Sequence, residues 1–277
     1  MVKFVAYKAV DNTKLTEIGL FQNIKKNLTR KGEGNSFDAS KGDIDMHVTG
    51  KAMLFVLKNP VSGTMKTIDV KVDGSEKYFL SGLDIKLNKM KSFFKGNYEK
   101  TIFKGNDKIV GSSQSDKLAG FNGNDKINGG SGADKIGGGK GNDKLYGEGG
   151  ADVISGDAGK DFLDGGDGND VLSGGKDADT FQFSSQLTFG NYSSITDFKP
   201  GEDKIQLVKS VFPDLTGKGK LSADKFVKST DYAGQDGVVV YNKASGQLSY
   251  AIDSNTLFKF GEVQSGLNLK ASDFFLV

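Results

Sequence analysis

The feature that most constrains this chain is a nine-residue unit that repeats without a gap from Ile102 to Gln182. Every copy contains one aspartate, and the aspartates recur at a strict spacing of nine: Asp107, Asp116, Asp125, Asp134, Asp143, Asp152, Asp161, Asp170 and Asp179. A large apolar residue, here called U, stands two positions after each of them: Ile109, Leu118, Ile127, Ile136, Leu145, Ile154, Leu163, Leu172 and Phe181. Glycine precedes each aspartate by five positions from the second copy onward and by two positions in most copies. The ideal unit is therefore Gly-Gly-x-Gly-x-Asp-x-U-x.

This unit predicts a parallel β-roll. Six residues with glycine at the first, second and fourth positions can form a loop with positive φ angles. The other three residues can form a short strand whose middle side chain, U, alone points inward. Two units make one rung, and stacked rungs build two parallel sheets with the U residues between them. Flexible glycine-rich linkers, collagen and phosphate-binding loops lack this phased pairing of aspartate and apolar residues.

The aspartates predict a metal site. Stacking places every second aspartate above the last one, about one strand spacing (~4.8 Å) away. Two bare carboxylates at that distance repel each other by roughly 3 kcal/mol at an effective dielectric constant of about 20. A hard divalent cation between successive loops removes the repulsion, and calcium accepts an irregular shell of carboxylate and carbonyl oxygens more readily than magnesium does. We therefore expect Ca²⁺ binding and folding of the tract to be one event.

The tract resembles the nonapeptide repeats of RTX (hemolysin-type calcium-binding) proteins, as in "GSGADKIGG", "GKGNDKLYG" and "GDGNDVLSG". The resemblance implies calcium ions between rungs, bound by the nine aspartates and by loop carbonyl groups near the paired glycines. Three copies depart from the pattern: Ile102 replaces the first glycine of copy one, and Gln114 and Asp177 replace the fourth-position glycine of copies two and nine. We expect weak or absent calcium at these ends and about five to seven ions in all.

Residues 1–101 are predicted to form a small β-rich cap with one helix at the N-terminal end of the roll. Five stretches are strand-like: Phe4–Val10, Asp43–Val48, Ala52–Leu57, Thr67–Val72 and Tyr78–Leu80. Four apolar residues then share one stripe of a helix with basic flanks: Leu83, Leu87, Met90 and Phe94. This stripe either packs on the cap's sheet or the first rung, or lies on an anionic membrane. The only histidine, His47, is more typical of a structural role than of catalysis.

Residues 184–277 are predicted to form a β-rich C-terminal cap, because the nine-residue period ends near Phe183. Strand-like stretches lie at Ser194–Phe198, Lys204–Val208, Gly237–Tyr241, Gln247–Ile252 and Leu257–Phe260, with a short helix capped by Ser222. This region resembles the segment that closes the roll in secreted RTX proteases and lipases. Its ending, Asp273 followed by four apolar residues, resembles the uncleaved signal of type I secretion systems; the alternative is a plain final strand.

The residue after each aspartate is expected to point outward, and its type changes along the tract. It is lysine in the first five copies: Lys108, Lys117, Lys126, Lys135 and Lys144. In the last four copies it is Val153, Phe162, Val171 and Thr180. The lysines either keep the sheet faces soluble or bind an anionic polymer or lipid surface. The change to less polar residues predicts that the C-terminal cap covers the outer faces of the last rungs.

No enzyme is predicted. The chain has no HExxH or GxSxG sequence and only one histidine, so the zinc protease and lipase of the family are excluded. The N-terminus has no apolar segment typical of a cleaved export signal, which taken alone would suggest a cytoplasmic protein. The resemblance of the C-terminal ending to a type I secretion signal instead implies export without a cleaved peptide, which suits a chain without cysteine. The repeat tract carries 9 basic residues against 14 acidic ones, which indicates metal loading rather than nucleic-acid binding.

The sequence thus predicts a mostly all-β, secreted, non-enzymatic calcium-binding protein with a cap at 1–101, a roll at 102–183 and a cap at 184–277. Its partners are expected to be calcium ions, the secretion machinery and an anionic surface or matrix polymer. The alternative is a membrane-active, pore-forming or toxin-like effector.

Overall fold

The fold is taken from a computed structural model, which describes residues 105–277 throughout and, before them, only the backbone of six strands. These six are β1 (Lys3–Ala6), β2 (Ser36–Lys41), β3 (Ile44–Val56), β4 (Asn59–Val72), β5 (Ser75–Ser81) and β6 (Ile85–Lys86). The repeat tract then supplies nine strands, one per copy: β7 (Lys108–Val110), β8 (Lys117–Asn122), β9 (Lys126–Ser131), β10 (Lys135–Lys140), β11 (Lys144–Gly149), β12 (Val153–Ala158), β13 (Phe162–Asp167), β14 (Val171–Ser173) and β15 (Thr180–Phe183).

Successive strands of the tract alternate between two sheets. The first sheet contains β7, β9, β11, β13 and β15, and the second contains β8, β10, β12 and β14. All pairings within these sets are parallel, and partners lie 18 residues apart, as Leu145 lies beside Ile127 and Leu163. The predicted parallel roll with two units per rung is confirmed.

The U residues fill the space between the two sheets. Along a typical strand such as β9, buried and less buried positions alternate, so the U side chain points into the roll. All nine U residues are buried, with exposed fractions of 0 to 2 %. Each nonapeptide therefore contributes one apolar side chain to a narrow core.

The N-terminal strands of the predicted β-rich region form an antiparallel sheet in the order β2-β3-β4-β5-β1, and β1 continues this sheet into the roll by pairing in parallel with β7. Two predicted strands are one strand, β3, because the pairing with β4 absorbs Gly50 in a register shift of the β-bulge type. Strand β2 was not predicted. Of the predicted helix, the structure describes only Ile85–Lys86, which is a strand paired with β4; Leu83, Leu87, Met90 and Phe94 lie outside the described residues.

The C-terminal region extends both sheets of the roll. Its strands are β16 (Ser193–Ile195), β17 (Lys204–Leu207), β18 (Gly219–Lys220), β19 (Phe226–Lys228), β20 (Val238–Tyr241), β21 (Gln247–Asp253), β22 (Thr256–Glu262) and β23 (Phe274–Leu276). Strand β17 pairs with β15 in the first sheet, and β16 pairs with β14 in the second. The predicted short helix is one 3-10 turn, Ala223–Lys225, and the Ser222 side chain does not cap it.

Aromatic side chains form the core of this C-terminal region. The Phe212 ring contacts Tyr250 and Phe260 edge to face, with centroids 5.3 and 5.1 Å apart. Tyr250 and Phe274 are completely buried. The final strand, β23, pairs in parallel with β17, so the chain segment after Asp273 is part of the fold.

The prediction that the C-terminal cap covers the outer faces of the last rungs is wrong for the second sheet. The side chains of Val153 and Val171 are 47 % and 41 % exposed. The cap extends the sheets at their edges through β16 and β17 instead of packing on their faces. On the first sheet, Phe162 is half-buried because its ring packs against Tyr146, with centroids 5.7 Å apart.

Candidate metal centre

The nine repeat aspartates form two ladders at the loop ends that immediately precede the strands. All nine are buried, with exposed fractions of 1 to 4 %. The first ladder precedes the strands of the first sheet and contains Asp107, Asp125, Asp143, Asp161 and Asp179. The second ladder precedes the strands of the second sheet and contains Asp116, Asp134, Asp152 and Asp170.

From Asp125 onward, one carboxylate oxygen of each repeat aspartate joins neighbouring rungs. Oδ1 of Asp143 accepts the backbone N–H of Asp125, 18 residues earlier, at 2.7 Å. The same bond recurs in both ladders at 2.7 to 3.1 Å. The ladders are thus fixed by side-chain to backbone bonds, and each carboxylate is held at a defined place beside the next loop.

The second carboxylate oxygen has no hydrogen-bond partner in most rungs. Buried Oδ2 atoms without a hydrogen-bond partner belong to Asp125, Asp134, Asp143, Asp152, Asp161 and Asp179. An ionised oxygen buried without a partner is strongly unfavourable. These six atoms therefore indicate that a cation belongs beside them.

The first glycine of each unit leaves open the space that these oxygens face. A Cβ atom on Gly138 would lie 2.3 Å from Asp143 Oδ2 and 2.9 Å from the carbonyl oxygen of Gly156, which is too close for either contact. A carboxylate oxygen and a carbonyl oxygen from the next stacked loop thus converge on one small space. The glycine is required there for room, because its φ angle is not in the left-handed region.

The second and fourth positions favour glycine for a different reason, although three copies have another residue at the second position with a φ of 72 to 75°: Phe121, Glu148 and Asp157. The backbone there adopts positive φ angles, for example +107° at Gly139 and +119° at Gly141. Asp177, which replaces the fourth-position glycine of copy nine, keeps this conformation with a φ of 72°. The loop of copy nine therefore retains the left-handed turn of its neighbours despite the substitution.

Burial and mutual repulsion raise the pKa of the ladder carboxyls. Burial, with smaller repulsion from stacked aspartates and partly offset by a backbone hydrogen bond, raises the pKa from 3.8 to about 7 at Asp125, Asp152 and Asp161. Burial likewise raises the pKa of Asp134 and Asp143 to about 6. The sites disfavour negative charge unless a cation or a proton neutralises it.

These residues fit a calcium ion better than a transition metal. Within residues 105–277, no three histidine, cysteine or acidic side chains converge on one point, so backbone carbonyl oxygens must supply most of a shell. The available donors are all oxygen, and they surround a loop pair of irregular geometry, which suits calcium's tolerance of about six to eight oxygens. Bound calcium would supply the positive charge that the stacked carboxylates lack.

Sequence reasoning missed one member of the first ladder, Asp203. Its Oδ1 accepts the backbone N–H of Asp179 at 2.9 Å, as the other ladder aspartates do for their neighbours. The spacing here is 24 residues instead of 18, because the connections before and after β16 are longer than the loops of the nonapeptides. The signal was present in Asp203-Lys204-Ile205, which repeats the Asp-x-U order.

An asparagine ladder was also missed. Asn106 and Asn124 each accept, through Oδ1, the backbone N–H of the residue 18 positions later, at 2.8 Å. Asn142 does the same for Lys160. Because this position directly precedes the ladder aspartate, the asparagines hold neighbouring loops in register on the solvent side.

The fold and the ladders define a metal-binding parallel β-roll. A family model described as "RTX calcium-binding nonapeptide repeat (4 copies)" matches residues 103–136, 136–163 and 146–181. The central tract therefore consists of RTX calcium-binding nonapeptide repeats, and its metal is calcium.

Solved structures similar to this chain include two subunits of the mannuronan C5-epimerase from Azotobacter vinelandii, both determined in solution. The AlgE6R3 subunit is 26 % identical, with a TM-score of 0.26, and the match covers 62 % of this chain and 78 % of that one. The AlgE6R2 subunit is also 26 % identical, with a TM-score of 0.32, and the match covers 60 % and 90 %. No curated protein sequence matches the chain.

Proposed function

We propose that this is a secreted, non-enzymatic protein whose β-roll folds when it binds calcium outside the cell and then binds an anionic surface or matrix polymer. The observation that carries the proposal is the set of six buried Oδ2 atoms without hydrogen-bond partners. Such a structure is unfavourable without cations, so calcium binding and folding are coupled. The calcium-poor cytosol keeps the tract unfolded, and the calcium-rich exterior folds it.

The buried position of the last strand supports recognition before folding. Phe274 and Leu276 are buried against the C-terminal region. Any export machinery that reads residues 273–277 must therefore do so while this segment is unfolded. The resemblance of this ending to a type I secretion signal supports that export route, with recognition before the C-terminal region folds.

The outer face of the first sheet supports binding of an anionic polymer. Lys108, Lys126 and Lys144 lie side by side on β7, β9 and β11 and are exposed. The Lys126 ammonium lies 5.2 Å from the centre of the Tyr146 ring. A row of cations at about one strand spacing (~4.8 Å), beside an aromatic side chain, suits a repeating polymer of acidic sugars.

The first experiment tests calcium-coupled folding. Calcium added to chelated protein should produce a cooperative gain of β-structure in far-UV circular dichroism. Magnesium should not reproduce this gain at equal concentration, because it requires near-octahedral geometry. A roll already fully folded in chelator contradicts the proposal.

The second experiment tests the binding face. We expect Lys126→Glu combined with Lys144→Glu to weaken calcium-dependent retention on an immobilised acidic polysaccharide such as heparin at least tenfold. Lys218→Glu with Lys220→Glu, which changes the same charge on the exposed C-terminal region, should have a much smaller effect. An equal loss of retention in both double variants contradicts binding through the outer face of the first sheet.

The membrane-active alternative makes a different prediction in vesicles. No helix in the described part of the chain is long and apolar enough to cross a membrane. If the protein acts through a binding face, anionic liposomes loaded with a fluorescent dye should remain intact when the calcium-bound protein is added. Rapid leakage that depends on the protein supports the alternative and overturns the proposed binding function.

A further inference from the structure

The last layer of the first ladder differs from all the layers before it. It lies between the loop at residues 174–179 and the loop at residues 198–203, which are joined by the pairing of Thr180 with Lys204. Lys199 stands four residues before Asp203, as Gly175 stands four residues before Asp179. A lysine therefore occupies the place of the second glycine in this loop.

The Lys199 side chain lies between the two loops. Its ammonium group donates a hydrogen bond to the carbonyl oxygen of Gly175 at 2.7 Å, in a partly buried position. Its backbone N–H donates to Asp203 Oδ2 at 2.8 Å. Asp203 Oδ1 accepts from Asp179, so both oxygens of this last carboxylate have protein donors, unlike those of Asp143 or Asp161.

The charge of Lys199 acts on both carboxylates of this layer. Burial raises the pKa of Asp179 to about 7, and the Lys199 ammonium opposes that rise. Burial also raises the pKa of Asp203, and the same ammonium again opposes it. Earlier in the ladder, stacked carboxylates repel those of Asp125 and Asp161, and no lysine offsets this repulsion.

The second ladder also ends in protein donors. Ser193 takes the place of the next aspartate after Asp170, because Ser194 pairs with Val171. The Ser193 hydroxyl donates to Asp170 Oδ2 at 2.9 Å, so this oxygen has a partner that the Oδ2 atoms of Asp134 and Asp152 lack. Both ladders therefore end, at the C-terminal region, in carboxylates that protein groups satisfy.

We propose that the Lys199 ammonium takes the place of calcium in the last layer of the first ladder. The cation that the unpartnered Asp179 Oδ2 calls for is then this ammonium group, so the layer between residues 174–179 and 198–203 binds no calcium and stays formed in chelator. It provides a preformed platform from which the roll folds when calcium arrives. This inference rests on the proposed calcium-coupled folding, which it deepens.

The inference is tested with three full-length variants. Lys199→Gly restores the glycine of the repeat and removes the internal cation, so isothermal titration calorimetry should find one more calcium ion per chain than in the wild-type protein. Lys199→Met removes the charge without restoring glycine, and Lys199→Arg keeps the charge. An unchanged calcium stoichiometry in the Lys199→Gly variant overturns the proposal.

Limited proteolysis in chelator supplies the second readout. The wild-type protein and Lys199→Arg should yield a resistant fragment that begins near residue 170, whereas Lys199→Met should lose it. Lys228→Met, at an exposed lysine of the same region, serves as the matched control and should retain the fragment. Loss of the fragment in the control as well as in Lys199→Met overturns the role of Lys199. A wild-type protein that does not change with calcium at all instead overturns the proposed folding function.

Discussion

The roll and the C-terminal region share the same two sheets but are stabilised by different interactions. Each nonapeptide of the roll buries one apolar side chain and one carboxyl group, and most of these carboxyl groups have an oxygen without a hydrogen-bond partner. The C-terminal region buries a cluster of aromatic rings around Phe212, and its buried Tyr250 hydroxyl donates to Asp214 at 2.9 Å. The buried carboxyl groups of the C-terminal region, Asp203 and Asp273, thus have protein donors for both oxygens, whereas most of those in the roll lack a partner for one oxygen.

The difference teaches that calcium dependence is local even within a continuous sheet. Strand β15 belongs to the roll and its neighbour β17 to the C-terminal region, yet their backbones pair without a break. Backbone pairing alone does not decide which part needs metal. The burial of charge decides it, and four predictions test this comparison.

The largest expected effect is the opposite pH response of the calcium-free and calcium-bound roll. In the calcium-free folded state, burial raises the pKa of Asp125, Asp152 and Asp161 to about 7, against 3.8 in the unfolded chain. The folded state therefore binds more protons, so its stability is greatest below about pH 4 and is lost as the pH rises through about 7. With calcium bound, protons compete with the metal, and stability should rise with pH.

Urea unfolding followed by far-UV circular dichroism, with and without calcium at pH 5 and pH 8, measures this reversal. Near-UV signals from the aromatic cluster serve as the control, since they should depend far less on calcium. Calcium-free stability that increases from pH 5 to pH 8 contradicts the burial of uncompensated carboxyls.

Core truncation separates the two regions next. Leu145→Ala should lower the calcium-bound free energy of unfolding by about 2–5 kcal/mol, and Phe212→Ala by about 3–5 kcal/mol. In chelator, only Phe212→Ala should reduce the residual near-UV signal, because the surroundings of Leu145 are then unfolded. Thermal unfolding in both conditions checks this, with Leu145→Met as the volume-conserving control. If both alanine variants reduce the near-UV signal equally in chelator, the roll and the C-terminal region do not differ in calcium dependence as proposed.

Glycine substitution tests the space beside the ladder. Gly138→Ala places a Cβ within 2.3 Å of Asp143 Oδ2, and we expect a loss of about 1–3 kcal/mol in the calcium-bound protein and a higher calcium concentration at the folding midpoint. Gly149→Ala is the matched control, because its Cβ would meet nothing within 4 Å. Calcium titrations of both variants measure this difference. Similar folding midpoints would show that calcium does not occupy the space beside Gly138.

The smallest expected effect concerns the asparagine ladder. Asn124→Ala removes the acceptor of the Asn142 N–H and should cost about 0.5–1.5 kcal/mol. Lys160→Ala, at the corresponding loop position, should be nearly neutral because a lysine side chain cannot accept that bond. Chemical unfolding in calcium measures both. A cost at Lys160 equal to that at Asn124 would assign the effect to lost surface packing.

The roll could be predicted from the sequence because a fixed nine-residue spacing of apolar residues determines which side chains point between the two sheets. Ile127 and Leu145 recur at the period of the rung, so their burial follows directly. Asp203 escaped prediction because longer connections around β16 change its spacing to 24 residues, and only the pairing of β15 with β17 and the Asp179–Asp203 hydrogen bond show that it continues the ladder. The C-terminal region joins the edges of the two sheets and leaves the outer face at Val153 and Val171 exposed. Their apolar character suggested a covered face and therefore misled the prediction.

Lys199 shows a second limit of sequence reasoning. Its neighbours Pro200 and Gly201 identify a turn, and a turn lysine ordinarily extends into solvent. Its contact with the Gly175 carbonyl group depends on two loops that are distant in sequence and adjacent in the stack. Such a contact becomes visible only when the register of β15 with β17 is known.

The alternation of strands between two sheets makes the repeat tract sensitive to parity. Removing one nonapeptide would send each later strand of the roll to the opposite sheet, while β16 and β17 are each connected to suit only one sheet. Removing two would shorten the roll by one complete rung and leave the junction with the C-terminal region unchanged. Length variants of this protein are therefore viable in steps of eighteen residues. A change of nine residues would disrupt the pairing of β16 and β17 with the last strands of the roll.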